Sequence, residues 1–301
     1  PITHPQYPKE LIGPDGKTLA GGNGTVRVRA KLRDFPGQGQ DNTTDFGRYL
    51  VGVKGDFKNW DWETAALYTN SKVSSHNTAA ILTTPFLNAY KNGTFIFGGG
   101  DANKALYDSI TTSSVNVFKS SLAQVDGKIS GELFTLPAGA VGLAIGTEFR
   151  RESLDTNPDP QAVAGEIYHQ AQLPPGFSNS RNISSIYAEA TVPLLKTVEA
   201  QLAVRHDHYS DYGNSTTPKV GLKWSATPAF MVRGTYAEGF RAPTLVENST
   251  DVRNAFTSFR DPFRCNAQYK LGCSTSSAYQ SGANPELKPE TAKSYTLGLA
   301  W

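Results

Sequence analysis

The sequence contains only two cysteines, and their thiols are its most reactive side chains. Cys265 and Cys273 stand in the stretch FRCNAQYKLGC. Their spacing is not CxxC and no histidine lies near them, so the pattern does not favour a redox or metal-binding pair. In an oxidising compartment we predict a disulfide that closes a short loop and contributes about 2.5 kcal/mol.

A polar stretch has some of the oxygen ligands of a calcium loop. In DTNPDPQAVAGE (155–166), the side chains at the EF-hand spacing are Asp155, Asn157, Asp159 and Glu166. However, Pro160 occupies the place where the sharp turn requires glycine, and no helical pattern flanks the stretch. The sequence therefore favours an ordinary polar loop over a calcium site.

A second possible metal site is a pair of histidines. His206 and His208 are two residues apart, so on a strand they share one face. By the parity of that strand they lie on its apolar face near one end. Polar residues at a membrane interface explain this placement more simply than a metal site, and we predict that role.

Neither composition nor motifs support an enzyme or a nucleic-acid binder. The 301 residues carry a formal net charge of only +2, without the basic excess of a nucleic-acid-binding domain. The sequence contains no phosphate-binding GxxxxGK[ST] loop, HExxH pair, GxSxG elbow or zinc-type cysteine cluster. We therefore expect no catalytic residue, cofactor or metal.

Alternating apolar and polar residues dominate the chain. In AVGLAIGTEFRRE (140–152), Val141, Leu143, Ile145 and Phe149 fall on one face, whereas small and charged residues share the other. About ten stretches repeat this pattern, beginning with GTVRVRAKLR (24–33), and most approach the 9–11 residues that a tilted strand needs to cross a bilayer. The pattern fits either a soluble sandwich or a membrane barrel.

The lengths of the connections favour the barrel. Very short joins occur at 58–59, 136–139, 193–196 and 226–228, and all fall at one end of the predicted strands. Long connections, at 72–122, 154–181 and 241–290, fall at the other end, together with a short one at 210–215. Outer-membrane barrels have this asymmetry, whereas structureless loops of this length are rare in compact soluble domains.

Aromatic residues gather at both ends of the strands, as in the girdles of membrane proteins. Tryptophan and phenylalanine occupy the short-join end, at Phe57, Trp60, Trp62, Trp224, Phe230 and Trp301. Tyrosines mark the long-connection end, at Tyr49, Tyr68, Tyr209, Tyr236 and Tyr295. The apolar face should therefore meet lipid. The opposite orientation would place Arg150 in the bilayer, where an arginine near the midplane costs about 2–4 kcal/mol.

The opposite face should line a lumen. Its charged residues are Arg48, Lys54, Glu63, Glu132, Glu148, Arg150, Glu189, Arg205, Asp207, Lys219 and Arg233. Their mixed charges suit contact with a polar domain inside the barrel, although a solvated pore wall would have the same pattern. Glycines on this face, such as Gly146, should permit close approach of whatever fills the lumen.

Four stretches together resemble one family. YAEGFRAPTLVE (236–247), NPELKPETAKSYTLGL (284–299), LPAGAVGLAIGTEFRRESL (136–154) and VRHDHYSDYGNSTTPKVGLKW (204–224) are similar to blocks of TonB-dependent outer-membrane receptors. The resemblance spans about residues 46–301. It implies an all-β, antiparallel transmembrane barrel of about 22 strands, closed by a plug domain, in the outer membrane of a Gram-negative bacterium.

The resemblance also implies a function and its partners. Such receptors import scarce, bulky solutes with energy from TonB, and ferric siderophores are the commonest cargo. Oligosaccharides, peptides and cobalamin are alternatives, as is a passive porin-type barrel. We expect residues 1–301 to form part of one β-barrel domain without its plug and remaining strands. Family-block residues Arg241, Glu247, Asn284, Lys288 and Glu290 should fix loop ends at the outer rim.

Cargo should be contacted by aromatic and basic residues of the long loops, because aromatic rings offer large contact areas and arginine suits anionic groups. The candidates are Tyr90, Phe95, Phe97, Tyr107, Tyr168, Phe177, Phe256, Phe259, Phe263, Arg264 and Tyr269.

Overall fold

In the computed structural model, nine long strands form one open antiparallel sheet. The structure describes residues 5–6, 11–12, 18–20, 35, 37–168, 170, 172–249, 252–262, 265, 273 and 275–301. The strands of the sheet are β3 (Gly39–Phe57), β4 (Trp60–Ile81), β5 (Thr111–Leu136), β6 (Gly139–Asn157), β7 (Ser178–Leu195), β8 (Val198–Tyr209), β9 (Gly213–Thr227), β10 (Phe230–Arg241) and β13 (Glu290–Ala300).

From β3 to β10, each strand of the sheet pairs with the next strand in the sequence. The spatial order is β13-β10-β9-β8-β7-β6-β5-β4-β3, so β13 pairs directly with β10. The remaining strands form two small hairpins, β1 (Leu11–Ile12) with β2 (Thr18–Ala20) and β11 (Val252–Phe259) with β12 (Thr275–Gly282). The predicted strand at 24–33 lies outside the described residues; the other nine predicted strands are confirmed.

The connections sort by length as the sequence predicts. Residues 58–59, 137–138, 196–197 and 228–229 form two-residue turns at one end, hereafter the short-turn end. The connections at the other end, the long-loop end, span 82–110, 158–177, 210–212 and 242–289. Among the described residues, no helix is long and apolar enough to cross a membrane.

Several strands are longer than predicted, including β3, β4 and β5. β3, β4 and β5 contain 19, 22 and 26 residues, about twice the length needed to cross a bilayer. Their additional residues lie toward the long-loop end, where the sequence NSKVSSHNT (70–78) of β4 is polar on both faces. Alternation in hydropathy disappears where both faces are polar, although backbone pairing continues, so the sequence did not reveal the full length.

Cross-strand register divides the sheet into two faces. Phe149 pairs with Val125 and Ser184 on the apolar face, and the adjacent Glu148 pairs with Asp126 and Ser185 on the polar face. Exposure is the reverse of that in a soluble protein. The large apolar side chains Phe149 and Leu297 are 58% and 80% exposed, whereas Asp207 on the polar face is only 2% exposed.

Two of the long loops fold together above the sheet. The loop after β4 contains helices α1 (Thr83–Asn92) and α2 (Lys104–Ile110), which surround a core of Ile81, Phe86, Ala89, Phe95, Tyr107 and Ile110. The loop after β6 contains α3 (Pro160–Val163) and joins the first loop through a β-bridge between Leu82 and Ile167.

A side-chain contact also fastens these loops together. The Thr84 hydroxyl donates to Glu166 Oε1 over 2.7 Å, and the Thr84 backbone N–H donates to Oε2 over 3.0 Å. Both bonds favour the ionised carboxylate and lower the pKa of Glu166.

Candidate functional site

A chain of ion pairs crosses the polar face near the long-loop end. Residues of β6, β7 and β8 meet there because alternate residues of each strand share the face. The members of this ion-pair network, in spatial order, are Asp207, Arg205, Glu148, Arg150, Glu152, Arg181 and Asp211. Charges of opposite sign alternate along the network, so each arginine lies between two carboxylates.

The two shortest contacts of the network, made by Arg205 and Arg181, are charge-assisted hydrogen bonds. Arg205 Nε lies 2.9 Å from Asp207 Oδ1, and Arg181 Nη2 lies 2.8 Å from Glu152 Oε2. Arg150 Nε lies 3.1 Å from Glu152 Oε1, an ion pair that lacks hydrogen-bond geometry. Glu148 forms longer ion pairs without hydrogen bonds, with Oε1 3.6 Å from Arg150 Nη1 and Oε2 3.7 Å from Arg205 Nη2. These contacts hold six strand-borne carboxylate and guanidinium groups against one another.

Four of the seven network residues were predicted to line the lumen, namely Glu148, Arg150, Arg205 and Asp207. Glu152, Arg181 and Asp211 were not among the predicted lumen residues. Arg181 lies before the stretch of alternating residues that predicts β7. Counting back from Tyr187 in steps of two residues, through Ser185, nevertheless places Arg181 on the polar face. Asp211 lies in the turn after β8 and carries no such signal.

Arg181 connects more elements than any other member of this network. Its Nη1 donates to the Pro243 carbonyl oxygen over 2.6 Å and lies 3.5 Å from Asp211 Oδ2. Its guanidinium stacks over the ring of Tyr209, 5.1 Å from the ring centroid. Tyr209 was predicted for the outer girdle, but its parity on β8 turns it to the polar face, where it is buried.

A loop segment is thereby held against the polar face. Asn179 Nδ2 donates to the Leu245 carbonyl oxygen over 3.2 Å, and Asn248 Nδ2 donates to Asp211 Oδ2 over 3.2 Å. Together with the Arg181–Pro243 bond, these contacts fasten residues 242–249, which follow β10, over the ends of β7 and β8.

The family-block residues lie at the outer edge of the same segment. Arg241 Nη2 lies 2.7 Å from Glu290 Oε1, and Arg241 Nη1 lies 3.1 Å from Glu247 Oε2. The Thr244 backbone N–H donates to Glu247 Oε2 over 2.8 Å, and the Asn284 N–H donates to the Glu247 carbonyl oxygen over 2.8 Å. Arg241 therefore joins the ends of β10 and β13, and Glu247 joins Arg241 to the loop between these strands.

The Thr244 backbone N–H and the Arg241 guanidinium lower the pKa of Glu247 to about 2 from 4.5. A lowered pKa means that the stabilising contribution is present above pH 4.5 and is lost as the pH falls through 2. We expect the Thr244 amide to stay protected from hydrogen exchange between pH 7 and pH 4, after correction for intrinsic rates. The variant Glu247→Ala, which has no side-chain acceptor, should lack this protection throughout. Loss of wild-type protection near pH 4.5 would contradict the assignment.

The sequence comparison that decides the family covers nearly the whole chain. The profile of the family described as "TonB dependent receptor-like, beta-barrel" matches residues 6–301. The chain belongs to this family. It is accordingly part of a β-barrel protein of the outer membrane.

The curated relatives of this TonB-dependent receptor domain are outer-membrane proteins of Gram-negative bacteria. It is 25% identical over 186 residues to the iron-regulated outer membrane virulence protein of Vibrio cholerae serotype O1, covering 62% of this chain and 24% of the relative. It is 25% identical over 162 residues to the ferric enterobactin receptor of Pseudomonas aeruginosa, covering 53% and 20%. The chain thus spans about a quarter of these relatives.

Solved structures share the fold. A ferric enterobactin receptor variant from Pseudomonas aeruginosa matches with a TM-score of 0.57 and 21% identity, covering 86% of this chain and 32% of that one. The siderophore receptor PirA from Acinetobacter baumannii gives a TM-score of 0.54 and 17% identity over 86% and 32%. The RagAB peptide importer gives 0.53 and 10% over 87% and 28%. These family members and neighbours are transport receptors rather than enzymes.

The other predicted lumen residues lie on the polar face of the receptor domain, outside the network. Glu63 pairs with Lys128 over 2.8 Å, whereas Glu132, Glu189 and Arg233 make no ion pair within the described part of the chain. A side chain of the barrel wall fills the space that the sequence predicted beside Gly146. A Cβ at Gly146 would lie 2.3 Å from the Tyr187 ring, so that ring occupies the space beside the glycine.

The predicted cargo-binding aromatics of the receptor divide into two groups. Phe95 and Tyr107 are 1% and 4% exposed, so their rings pack the loop core and present no surface to cargo. Tyr90, Phe97 and Tyr168 pack against that core and are half-buried, as is Phe177. Phe259 on β11 is 47% exposed, and Phe256 lies on the same strand. Phe263, Arg264 and Tyr269 lie outside the described residues.

The side chains that resembled metal ligands bond to other groups of the protein. Asp159 Oδ1 and Oδ2 accept from the N–H groups of Gln161 and Val115, Asp155 accepts from Ser178, and Glu166 accepts from Thr84. His206 Nδ1 lies 2.8 Å from Thr216 Oγ1, and His208 Nδ1 lies 2.7 Å from Asn214 Oδ1. In the described ranges, no three histidine, cysteine or acidic side chains form a metal-binding group. Cys265 and Cys273 are joined by a disulfide, with Cα atoms 4.6 Å apart.

Proposed function

We propose that the whole receptor, of which this chain forms part of the barrel, actively imports a ferric siderophore across the outer membrane. The observation that carries the proposal is the sequence similarity to an iron-regulated outer membrane protein and to a ferric enterobactin receptor. The fold is compatible with several cargoes, because the RagAB peptide importer shares it. Sequence similarity to curated siderophore receptors therefore favours iron over a peptide.

The polar face has the chemistry expected of a wall that holds a plug domain. The ion-pair network leaves its arginines and carboxylates fixed in place, so that they present prearranged donors and acceptors to the lumen. A plug that contacts this wall through hydrogen bonds would close the pore at rest. TonB would then supply the energy that opens the path for cargo.

The long-loop end is the side from which cargo would enter. Phe259 and Tyr279 stand exposed on the hairpin of β11 and β12, the hairpin that the Cys265–Cys273 disulfide stiffens. Exposed aromatic rings bind planar, aromatic iron ligands through large contact areas. These two residues are therefore the most accessible described candidates for cargo contact, ahead of the buried loop core.

Binding by the full-length receptor tests the proposal. We expect one ferric siderophore from a panel that also contains cobalamin, oligosaccharides and peptides to bind at micromolar concentration or below. Alanine at both Phe259 and Tyr279 should weaken that binding by tenfold or more, while Tyr49→Ala on the lipid-facing side should not. Tight binding of an oligosaccharide or peptide alone would reject the siderophore as cargo and leave the transporter class intact.

A passive barrel predicts a different dependence on energy. Uptake through a TonB-dependent receptor should stop when TonB is deleted, whereas diffusion through a porin-type channel should continue. Uptake of labelled ferric siderophore in matched strains with and without TonB distinguishes the two. Uptake that persists without TonB at the same rate would overturn active transport.

A further inference from the structure

A basic depression lies on the polar face, near the short-turn end and apart from the ion-pair network. It is a cavity of ≈ 620 Å³ on β8, β9, β10 and β13, and its cationic side chains are Lys219, Lys223 and Arg233. Gly221 and Gly298 form part of its floor. Arg233 lies across Gly298, since a Cβ there would be 3.1 Å from Arg233 Nε. The hollow is therefore a shallow pocket with small residues at its base and cations around it.

The described part of the barrel does not neutralise the charges in this basic depression. Lys223 and Arg233 are directly opposite each other on neighbouring strands, an arrangement of like charges that destabilises a sheet. The side chains of Lys219, Lys223 and Arg233 form no ion pair or hydrogen bond with any other described residue. Glu199 pairs with Lys223 in the register but makes no ion pair with it. In the ion-pair network, by contrast, every arginine contacts carboxylates.

The uncharged residues of the depression suit a peptide. Gln201, Thr235 and Thr296 line it with amide and hydroxyl groups that can bond a backbone, and the glycines allow a chain to approach closely. The position near the short turns is distant from the long loops that would receive cargo. A carboxylate held here would relieve the repulsion between Lys223 and Arg233.

We infer that the basic depression binds an acidic segment of the plug domain through carboxylate contacts to Lys219, Lys223 and Arg233. The inference rests on the proposed function, because it takes a plug to fill the lumen. It goes further by naming the wall on which the plug docks, the sign of the docking charge and the residues that carry it.

Carbodiimide cross-linking of the full-length receptor tests this contact. The reagent joins a lysine amine to a carboxylate in direct contact with it, with loss of water, and mass spectrometry identifies the linked peptides. We expect Lys219 or Lys223 to be linked to an aspartate or glutamate outside residues 1–301. The Glu63–Lys128 pair, at 2.8 Å, is an internal positive control and should link in the same sample. Lys219→Arg with Lys223→Arg keeps the charge and should abolish the new link only.

The outcomes separate this inference from the assignment of cargo. A link to the plug in a receptor that binds no ferric siderophore supports the inference and rejects the cargo. The inference is overturned if the Glu63–Lys128 control forms its link but Lys219 and Lys223 stay unlinked or link only to Glu199. This holds even where cargo binds normally. If no link to the plug forms and the double variant Lys223→Gln, Arg233→Gln lowers the affinity for siderophore tenfold, the depression binds anionic cargo instead.

Discussion

Replacing Arg181 by methionine is expected to lower the free energy of unfolding of the full-length receptor by about 3–5 kcal/mol. Methionine keeps much of the side-chain volume but removes the only guanidinium that contacts both Glu152 and Asp211 among the described residues. The largely buried carboxylate of Asp211 would then lose its cation, and that of Glu152 would keep only Arg150. The Pro243 carbonyl oxygen would also lose its donor, so residues 242–249 should detach from the barrel wall.

Arg151 provides a matched control for this substitution. It lies beside the network on the opposite, outward face and is exposed, with contacts of 3.3 Å to Asn182 and Ser180. Arg151→Met should cost less than about 1 kcal/mol, as for other exposed polar contacts. Denaturant titration of both variants in lipid vesicles gives the comparison, and hydrogen exchange reports on 242–249. Equal losses for the two variants would show that Arg181 does not organise the network.

The second large effect should come from reversing polarity on the lipid-facing side. Leu202→Arg places a charge near the middle of β8 on the apolar face, where Leu202 pairs with Ala190 and Val220. We expect a loss of about 2–4 kcal/mol in folding free energy in a bilayer, because the guanidinium must leave water or distort the membrane. Folding titrations in vesicles of defined thickness measure this loss.

The adjacent residue separates membrane burial from damage to the strand. Ala203 lies on the polar face, directly opposite Glu189, and lines a cavity of ≈ 540 Å³. Ala203→Arg gains a carboxylate partner in Glu189, a like-charged neighbour in Lys219 and room for its side chain. It should therefore cost less than about 1 kcal/mol, as for other exposed polar contacts. Similar losses at both positions would mean that the faces do not meet different solvents.

The faces of the sheet could be predicted from residue parity alone. Alternation at 140–152 assigns each residue to a face, and the observed pairing of Ile145 with Ile129 and Ala188 agrees with that assignment. A one-residue error would have moved every side chain to the other face. The strand ends were less predictable because their outer portions are polar on both faces.

The contacts between loops could not be predicted, because they join residues far apart in the sequence. Arg181 meets Pro243 across 62 positions, and nothing local to either residue indicates the bond. Phe95 and Tyr107 illustrate a related difficulty. An aromatic residue in a long polar loop is equally consistent with binding cargo and with packing, and only the structure shows that these two form the loop core.

Nitroxide labels in the full-length receptor, reconstituted into vesicles, test the orientation of the barrel most directly. Labels are attached to cysteines introduced at Leu143, Ile145, Leu222 or, for the polar face, Glu148; the native cysteines stay in their disulfide. The first three labels should collide readily with oxygen dissolved in lipid and rarely with a water-soluble nickel complex, whereas the label at Glu148 should show no lipid contact. Labels at Ile145 and Leu222 that are shielded from oxygen, with the Glu148 label open to nickel outside the protein, would contradict the account.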